Sequence, residues 1–408
     1  MRRLKKSRPE PDADTTRAAE AGEVILRVCR DPAEIDAAAW NALVEAQSSA
    51  TPFVSIEYLR ALHASASAVA ETGWAPHFLL LEEGGILHAA CPLYLKDHSY
   101  GEYVFDWAWA DAYRRHGLDY YPKLTSAVPF TPVPGPRLLA RTHEHRLLLL
   151  AAIEKIARSA ELSSAHLLFL DEADQAAARE AGWSMRSTVQ FHWCNRTPVP
   201  YLDFAGFLAS LQRDKRKTIQ QERRRVAEAG VTFTSAAGAD IGAADWNFFY
   251  RCYTLTYRAH HSTPYLTRDF FARVAATMAE NWLLFTAWRG GQRIACSLIV
   301  IDPARKAAFG RYWGAVEHVN CLHFDACYYE PLAWCIAHGY ERFEGGAQGE
   351  HKMARGLLPV ETRSAHWLAH PQFARAIDDF LEREGAGIAD YLNELNDRLP
   401  FKATAATD

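Results

Sequence analysis

The sequence is as informative for what it lacks as for what it holds. Nowhere in its 408 residues does an apolar run approach the roughly 20 needed for a membrane span. Its eight cysteines include no C-x-x-C pair, which argues against a zinc ribbon or a thioredoxin-like redox motif. Most stand in apolar company, as in Ala89-Ala90-Cys91 and Ile294-Ala295-Cys296, where a thiol behaves as a small hydrophobe; the expected setting is a reducing cytoplasm. A net charge of −4 gives no overall pull toward nucleic acid or anionic lipid. Residues 1–22 are rich in basic side chains but have no apolar h-region, so they are expected to form a disordered basic tail rather than a secretory signal. What remains, 49% hydrophobic and 23% charged, has the composition of a globular protein and is too long for one ordinary core.

The chain repeats itself. TPFVSIEYLRAL at Thr51–Leu62 lies over TPYLTRDFFARV at Thr263–Val274 without a gap, and Phe169–Trp193 lies over Phe343–Trp367, again without a gap. Each copy has a double-glycine hairpin, Gly84-Gly85 and Gly290-Gly291. Copy one is expected over residues 23–197, with an aromatic insert at 97–121; copy two is expected over 198–385, and 386–408 hold the end of a helix and a tail. Copy two reads as helices, a three-strand meander (LLFTAWR, QRIACSLIVID, KAAFGRYWG), then helix–strand–helix–strand. That order predicts an α+β fold, each copy a mostly antiparallel mixed sheet flanked by helices.

Within the matched ends, the copies differ sharply in chemistry. Glu350, His351, Lys352 and Arg355 lie over Ala176, Ala177, Ala178 and Ala181. The segment GGAQGEHKMARG, which includes Gln348, takes a strand into a helix, where backbone amides and the helix N-terminus favour an anion. Lys352 and Arg355, three apart, share a helix face and can clamp one phosphate or carboxylate. A glycine-capped, solvated helix is the plainer alternative.

CLHFDACYYE holds His323 and Asp325, and Tyr328 has a hydroxyl that can face a substrate. With His351, the first two imitate a two-histidine, one-carboxylate metal face, but the pair opens a helix, so a cleft-lining role is expected and no metal. Arg311 stands among aromatics in FGRYWG, beside Trp313, placed for an acidic ligand or for a cation–π contact. In copy one, HSYGEYVFDWAWADAYRRHGLDYYPKL gathers Asp106, Trp109, Tyr121 and Lys123, the expected wall of a cleft between the copies. The stretch Arg213–Arg225 has seven basic residues against two acidic; such a run is commonly a solvated face and less often an RNA or phosphate surface.

The K-R-K-x-I-x-x-E-x-x-R that opens copy two and the G-x(n)-H-K-x-x-R-G near its end resemble the FemAB-like group. That group belongs to the acyl-CoA N-acyltransferase (GNAT) fold superfamily, and the resemblance covers Val24 to about Arg383. HSYGEYVFDWAWADAY, PFTPVPGPRLL, GRYWGA, LHFDACYY and GAQGEHKMARG are similar to its peptidoglycan biosynthesis or recognition branch. The resemblance implies tandem GNAT-like domains and transfer of an acyl or aminoacyl group to an amine, with acyl-CoA or aminoacyl-tRNA as donor. A small-molecule or peptide amine would be the acceptor, and tRNA a possible partner. In the Fem ligases a lysine in K-x-x-[KR]-x-F-G binds substrate phosphate; Lys352, Arg355 and Gly356 match it, and Leu357-Leu358 replace the phenylalanine–glycine. On this reading Lys352 and Arg355 hold phosphate, Arg311 orients the acceptor, and His351, Glu350 or Asp325 supplies the base, with His323 beside them. A non-catalytic module binding a cell-wall precursor or nucleotide is the rival expectation.

Overall fold

The computed structural model describes residues 24–346 and 349–402. Copy one contributes β1 (Val24–Cys29), β2 (Ala75–Pro76), β3 (Phe78–Glu83), β4 (Ile86–Cys91), β5 (Leu93–Lys96), β6 (Lys123–Ser126), β7 (Leu139–Ala140), β8 (Ser164–Leu170) and β9 (Ser184–Cys194). Copy two contributes β10 (Val231–Ala237), β11 (Trp282–Arg289), β12 (Gln292–Asp302), β13 (Ala307–Ala315), β14 (Arg342–Glu344) and β15 (Leu358–Leu368). An eleven-stranded sheet runs β10-β11-β12-β13-β14-β9-β15-β8-β6-β5-β2, and a four-stranded sheet runs β1-β3-β4-β7. Most pairs are antiparallel; β13–β14 and β6–β8 are parallel. The α+β expectation of a tandem GNAT-like fold therefore holds.

The copies exchange their last strands. β9, the end of copy one, lies between β14 and β15 of copy two, and β15 in turn pairs with β8 of copy one. Thr188 and Thr362, which the sequence repeat makes equivalent, stand directly opposite each other with their hydroxyls 2.7 Å apart. Leu358 faces His192 while Ser184 faces His366, the same relation read in both directions. This is the self-complementary geometry of a two-fold dimer interface, built inside one chain.

The second repeat lies on the same pseudo-axis. Helix α1 (Ile56–Ala64) and helix α2 (Arg268–Thr277) begin at matched caps, where Ser55 accepts from Tyr58 N and Thr267 from Phe270 N. Tyr58 and Phe270, also equivalent, meet edge to face at 5.3 Å. Thr267 donates its hydroxyl to Ser65 O at 3.1 Å, and its N–H donates to Ser67 Oγ at 3.1 Å. The buried residues of both helices enter one core shared by the copies.

Local departures from the sequence reading have identifiable causes. Copy two opens with two helices rather than one continuous one, Phe204–Ser210 and α3 (Arg213–Glu228), because Leu211 between them makes a β-bridge to Phe401. The helix expected over GGAQGEHKMARG is a 3₁₀ segment of six residues, Glu350–Arg355, closed by Gly356 at φ +86. Gly182, its equivalent, closes the copy-one helix Glu172–Glu180 at φ +77, so both turns demand the left-handed conformation glycine tolerates.

If strand exchange holds the sheet together, residues 24–197 expressed alone should show no cooperative thermal transition, and adding residues 198–402 should restore one. A cooperative transition in the isolated half, seen by circular dichroism, would overturn the exchange.

Candidate active site between the copies

β13 and β14 pair in parallel only from Ala307 to Phe309. Beyond that the two strands part, and the wedge they open is the candidate site. One wall is β13 itself, where Arg311 is the extra residue of a β-bulge: Leu298 faces Tyr312 and Ile299 faces Gly310. A bulge re-aims the side chain it carries. Helix α4 (Ala243–Ala259) packs on β13 so closely that a Cβ on Gly314 would sit 2.2 Å from Cys252 O. The other wall is Gly345-Gly346 and the 3₁₀ turn. The floor is tied to copy one, since Gly345 donates its N–H to Phe191 O of β9.

The resulting cavity holds about 620 Å³. Copy two lines it with Tyr253, Tyr257, Arg311, Tyr312, Trp313, His323, Tyr328, His351 and Lys352, while copy one adds Tyr103, Phe130 and Pro132. A second cavity of about 560 Å³ adjoins it, with Thr256, His260, Trp313 and His323 lining both. Between these residues and the following helix (Glu330–Ala337), Asp325–Tyr329 form a π-helical turn, a distortion often found at functional sites.

Lys352 is 3% exposed and donates to Gly346 O at 3.0 Å. Burial, helped by the Arg311 charge, lowers its pKa to about 8. The Arg311 side chain is 4% exposed, with Glu344 3.7 Å away, and its Nε and Nη2 make no hydrogen bond. Burial lowers its pKa too, against the pull of Glu344. Two buried cations thus share one end of the cavity. Tyr328 OH lies 3.2 Å from His351 Nε2. Burial, then Arg355 and Lys352, hold His351 below the usual imidazole value, although it reaches solvent at the mouth. Partial burial and the charges of His351, Arg355 and Lys352 depress His323 in the same way.

Several expected site residues stand elsewhere. Arg355 is not the partner of Lys352: its guanidinium meets Glu222 of α3 at 3.0 and 3.1 Å and stacks on Phe324 at 3.5 Å. Asp325 is turned to Arg223 at 3.1 Å, so it does not join His323 and His351 as a metal face or as a base; burial raises its pKa to about 6. Glu350 is exposed and accepts from Tyr391 OH at 2.7 Å on the C-terminal helix Pro371–Asn396. Gln348 lies outside the described residues.

The aromatic segment of copy one does not wall the cleft either, apart from Tyr103. Lys123 is wholly buried and donates to Glu102 at 2.8 Å, Asp106 at 2.5 Å and Ser99 at 2.9 Å. Ser99 also bonds Tyr121 OH at 2.8 Å. Trp109 packs edge-on to His366 at 4.9 Å and shares an apolar cluster with Leu381 of the C-terminal helix. Burial raises Asp106, but the Lys123 ammonium outweighs it and leaves this carboxyl below its usual range. This network docks the segment onto β15 and the C-terminal helix. Sequence reasoning passed over Tyr253 and Tyr257, although their four-residue spacing in FFYRCYTLTYR was visible.

Removing one partner from the buried Arg355–Glu222 pair strands a charge. Glu222→Ala should therefore cost about 3 kcal/mol of stability by chemical denaturation. A change below about 0.5 kcal/mol, the scale of ordinary surface substitutions, would show that Arg355 is not held there.

The FemAB-like family model, described as peptidoglycan biosynthesis/recognition, matches residues 31–403. A search of the curated proteins finds no match. Among solved structures, FemX is similar with a TM-score of 0.53 at 10% identity, covering 87% of this chain and all 100% of its own. The L-PGS structure from Bacillus licheniformis gives 0.51 at 11% identity, covering 85% of this chain and 97% of that one. A conserved protein from Bacteroides thetaiotaomicron gives 0.50 at 9%, covering 84% and 100%. No helix among the described residues is long and apolar enough to cross a membrane. With a family match over nearly its whole length, the chain belongs to the FemAB-like family.

Proposed function

We propose that the protein is an N-acyltransferase that moves an acyl or aminoacyl group from an activated donor to an amine related to cell-wall precursors, in the cavity between its copies. The single observation that carries the reading is the pair of buried cations, Lys352 and Arg311, at one end of an otherwise aromatic cavity. Arg311 adds to this: its Nε and Nη2 make no hydrogen bond, Glu344 stands 3.7 Å away, and burying such an ion costs several kcal/mol. An anionic donor or acceptor, phosphate or carboxylate, repays that cost. The two adjoining cavities suit a reaction in which two substrates meet, near Trp313 and His323.

In the step itself, the amine nitrogen attacks the acyl carbon, loses a proton and expels the leaving oxygen or sulfur. Proton removal is the chain's part of the work. Tyr328 hydroxyl and His351 form a relay: the phenol takes the amine proton as it yields its own to His351 Nε2, 3.2 Å away. His351 is suited to this because its depressed pKa keeps it neutral near pH 7. The leaving group takes up a proton on release. The donor, a CoA thioester or an aminoacyl-tRNA, is chosen by what fits against the cations.

Lys352→Ala should weaken binding of the anionic substrate by about 1.5–3 kcal/mol with the fold retained. Lys352→Arg should rescue only in part, and Arg179→Ala in copy one should change nothing. Calorimetry with candidate CoA thioesters and charged tRNA, with mass spectrometry of products, measures both. Parent-like turnover in Lys352→Ala removes the anion role, while binding without product leaves a recognition module.

The pH profile follows from the two shifts. Activity needs His351 neutral, so it rises with pH through a value below about 6.5, the free imidazole pKa. It needs Lys352 protonated, so it falls above about 8. His351→Gln should abolish the acid limb and cut kcat about a hundredfold. An unchanged acid limb in that variant assigns the base elsewhere.

A further inference from the structure

Outside this cavity, the four-stranded sheet carries a second set of ligand-type side chains. Glu83 ends β3, His88 lies on β4 across the double-glycine turn, and His145 sits in the first turn of the helix His143–Ser159. One ligand atom from each lies within 4.8 Å of the other two, and all three residues are half-buried. We propose that Glu83, His88 and His145 form a binding site for a divalent transition metal of the zinc type, which clips the β3–β4 hairpin to the helix.

The side chains are held ready. Leu81 faces Ala89 and Glu82 faces Leu87, which makes His88 the extra residue of a β-bulge. The His145 Nδ1 lies 3.0 Å from Thr142 Oγ1, the helix-capping oxygen, so the ring is fixed and Nε2 is left for a ligand. The His88 and His145 rings stand 5.2 Å apart and tilted by 49°. Among the described residues, the His88 ring makes no hydrogen bond and Glu83 makes no ion pair. Its neighbour Glu82 does, with Arg27 at 3.0 Å.

Copy two supplies an internal control. Its equivalent hairpin turns at Gly290-Gly291 and has the same bulge, because Ala287 faces Ala295 and Trp288 faces Arg293. The bulge therefore belongs to the fold. In copy two it carries Ile294, 3% exposed, and Arg289 replaces Glu83. Only copy one places an imidazole and a carboxylate there.

Two imidazoles and one carboxylate select a borderline metal over calcium or magnesium, which prefer oxygen alone. Zinc takes nitrogen at about 2.0–2.1 Å, so modest side-chain rotation closes the site, and water completes the tetrahedron.

The test uses the full chain, stripped with chelator and then titrated with Zn²⁺ by calorimetry and with Co²⁺ by visible absorption. One equivalent should bind with a tetrahedral cobalt spectrum, and zinc should raise Tm. Glu83→Gln, His88→Gln and His145→Gln should each weaken binding at least tenfold, judged against the 10–100-fold that even indirect partners of a metal contribute. His143→Gln, at a ring paired with Glu180, and the cavity variants His323→Gln and His351→Gln should leave it unchanged. Absence of stoichiometric binding overturns the proposal. So does binding that survives the His88→Gln, His145→Gln double variant, or that disappears with His323→Gln instead.

Discussion

The antiparallel seam between β9 and β15 is the contact on which the rest of the molecule depends. Each copy places its last strand among the strands of the other, so the eleven-stranded sheet is complete only with both halves. Backbone pairing along eleven-residue strands ties the halves far more firmly than side chains at a domain boundary would. The seam also reaches the site. β9 runs beside β14, His192 faces Glu344, and Gly345 hangs its N–H on Phe191 O. Copy one therefore holds one edge of the wedge that copy two lines with its candidate site.

Once that frame is fixed, the copies divide the work. At equivalent positions Ala178 is wholly buried in the copy-one core, and Lys352 is equally buried but faces the cavity. A methyl group there costs nothing, whereas an ammonium costs several kcal/mol unless something repays it. Copy one keeps buried ions too: Lys123 meets both Glu102 and Asp106, while Lys96 lies over the Trp74 ring with its pKa lowered by burial to about 7. In copy two, Arg311 has Glu344 3.7 Å away while its Nε and Nη2 make no hydrogen bond.

The parts of this arrangement legible in the sequence are those set by local rules. The meander, the two glycine hairpins and the equivalence of the repeated segments follow from periodicity and the internal alignment. What stayed hidden depends on partners distant in sequence. Nothing near Asp325 announces that Arg223, a hundred residues upstream, will claim it, and Glu350 gives no sign of reaching Tyr391. The spacing of Lys352 and Arg355 is right for a shared face, but Glu222 competes for the arginine and wins at 3.0 Å. The aromatic segment reads as a cleft wall from its composition, yet apart from Tyr103 it seals the C-terminal helix.

Arg311 shows why the clamp takes the form it does. A regular β13 would send successive side chains to opposite faces, and a single register fixes which of them meets the wedge. The bulge at Arg311 breaks that alternation where the strand leaves β14. The guanidinium is thereby brought beside Lys352, while Phe53 and Phe309 lie 5.0 and 5.5 Å from its charge and exclude water. Weakly hydrated and planar, a guanidinium survives that dry setting better than a second ammonium. Lysine, compact on its stem, donates to Gly346 O. The two cations are thus placed by different means, one by a strand irregularity and the other beside a glycine turn.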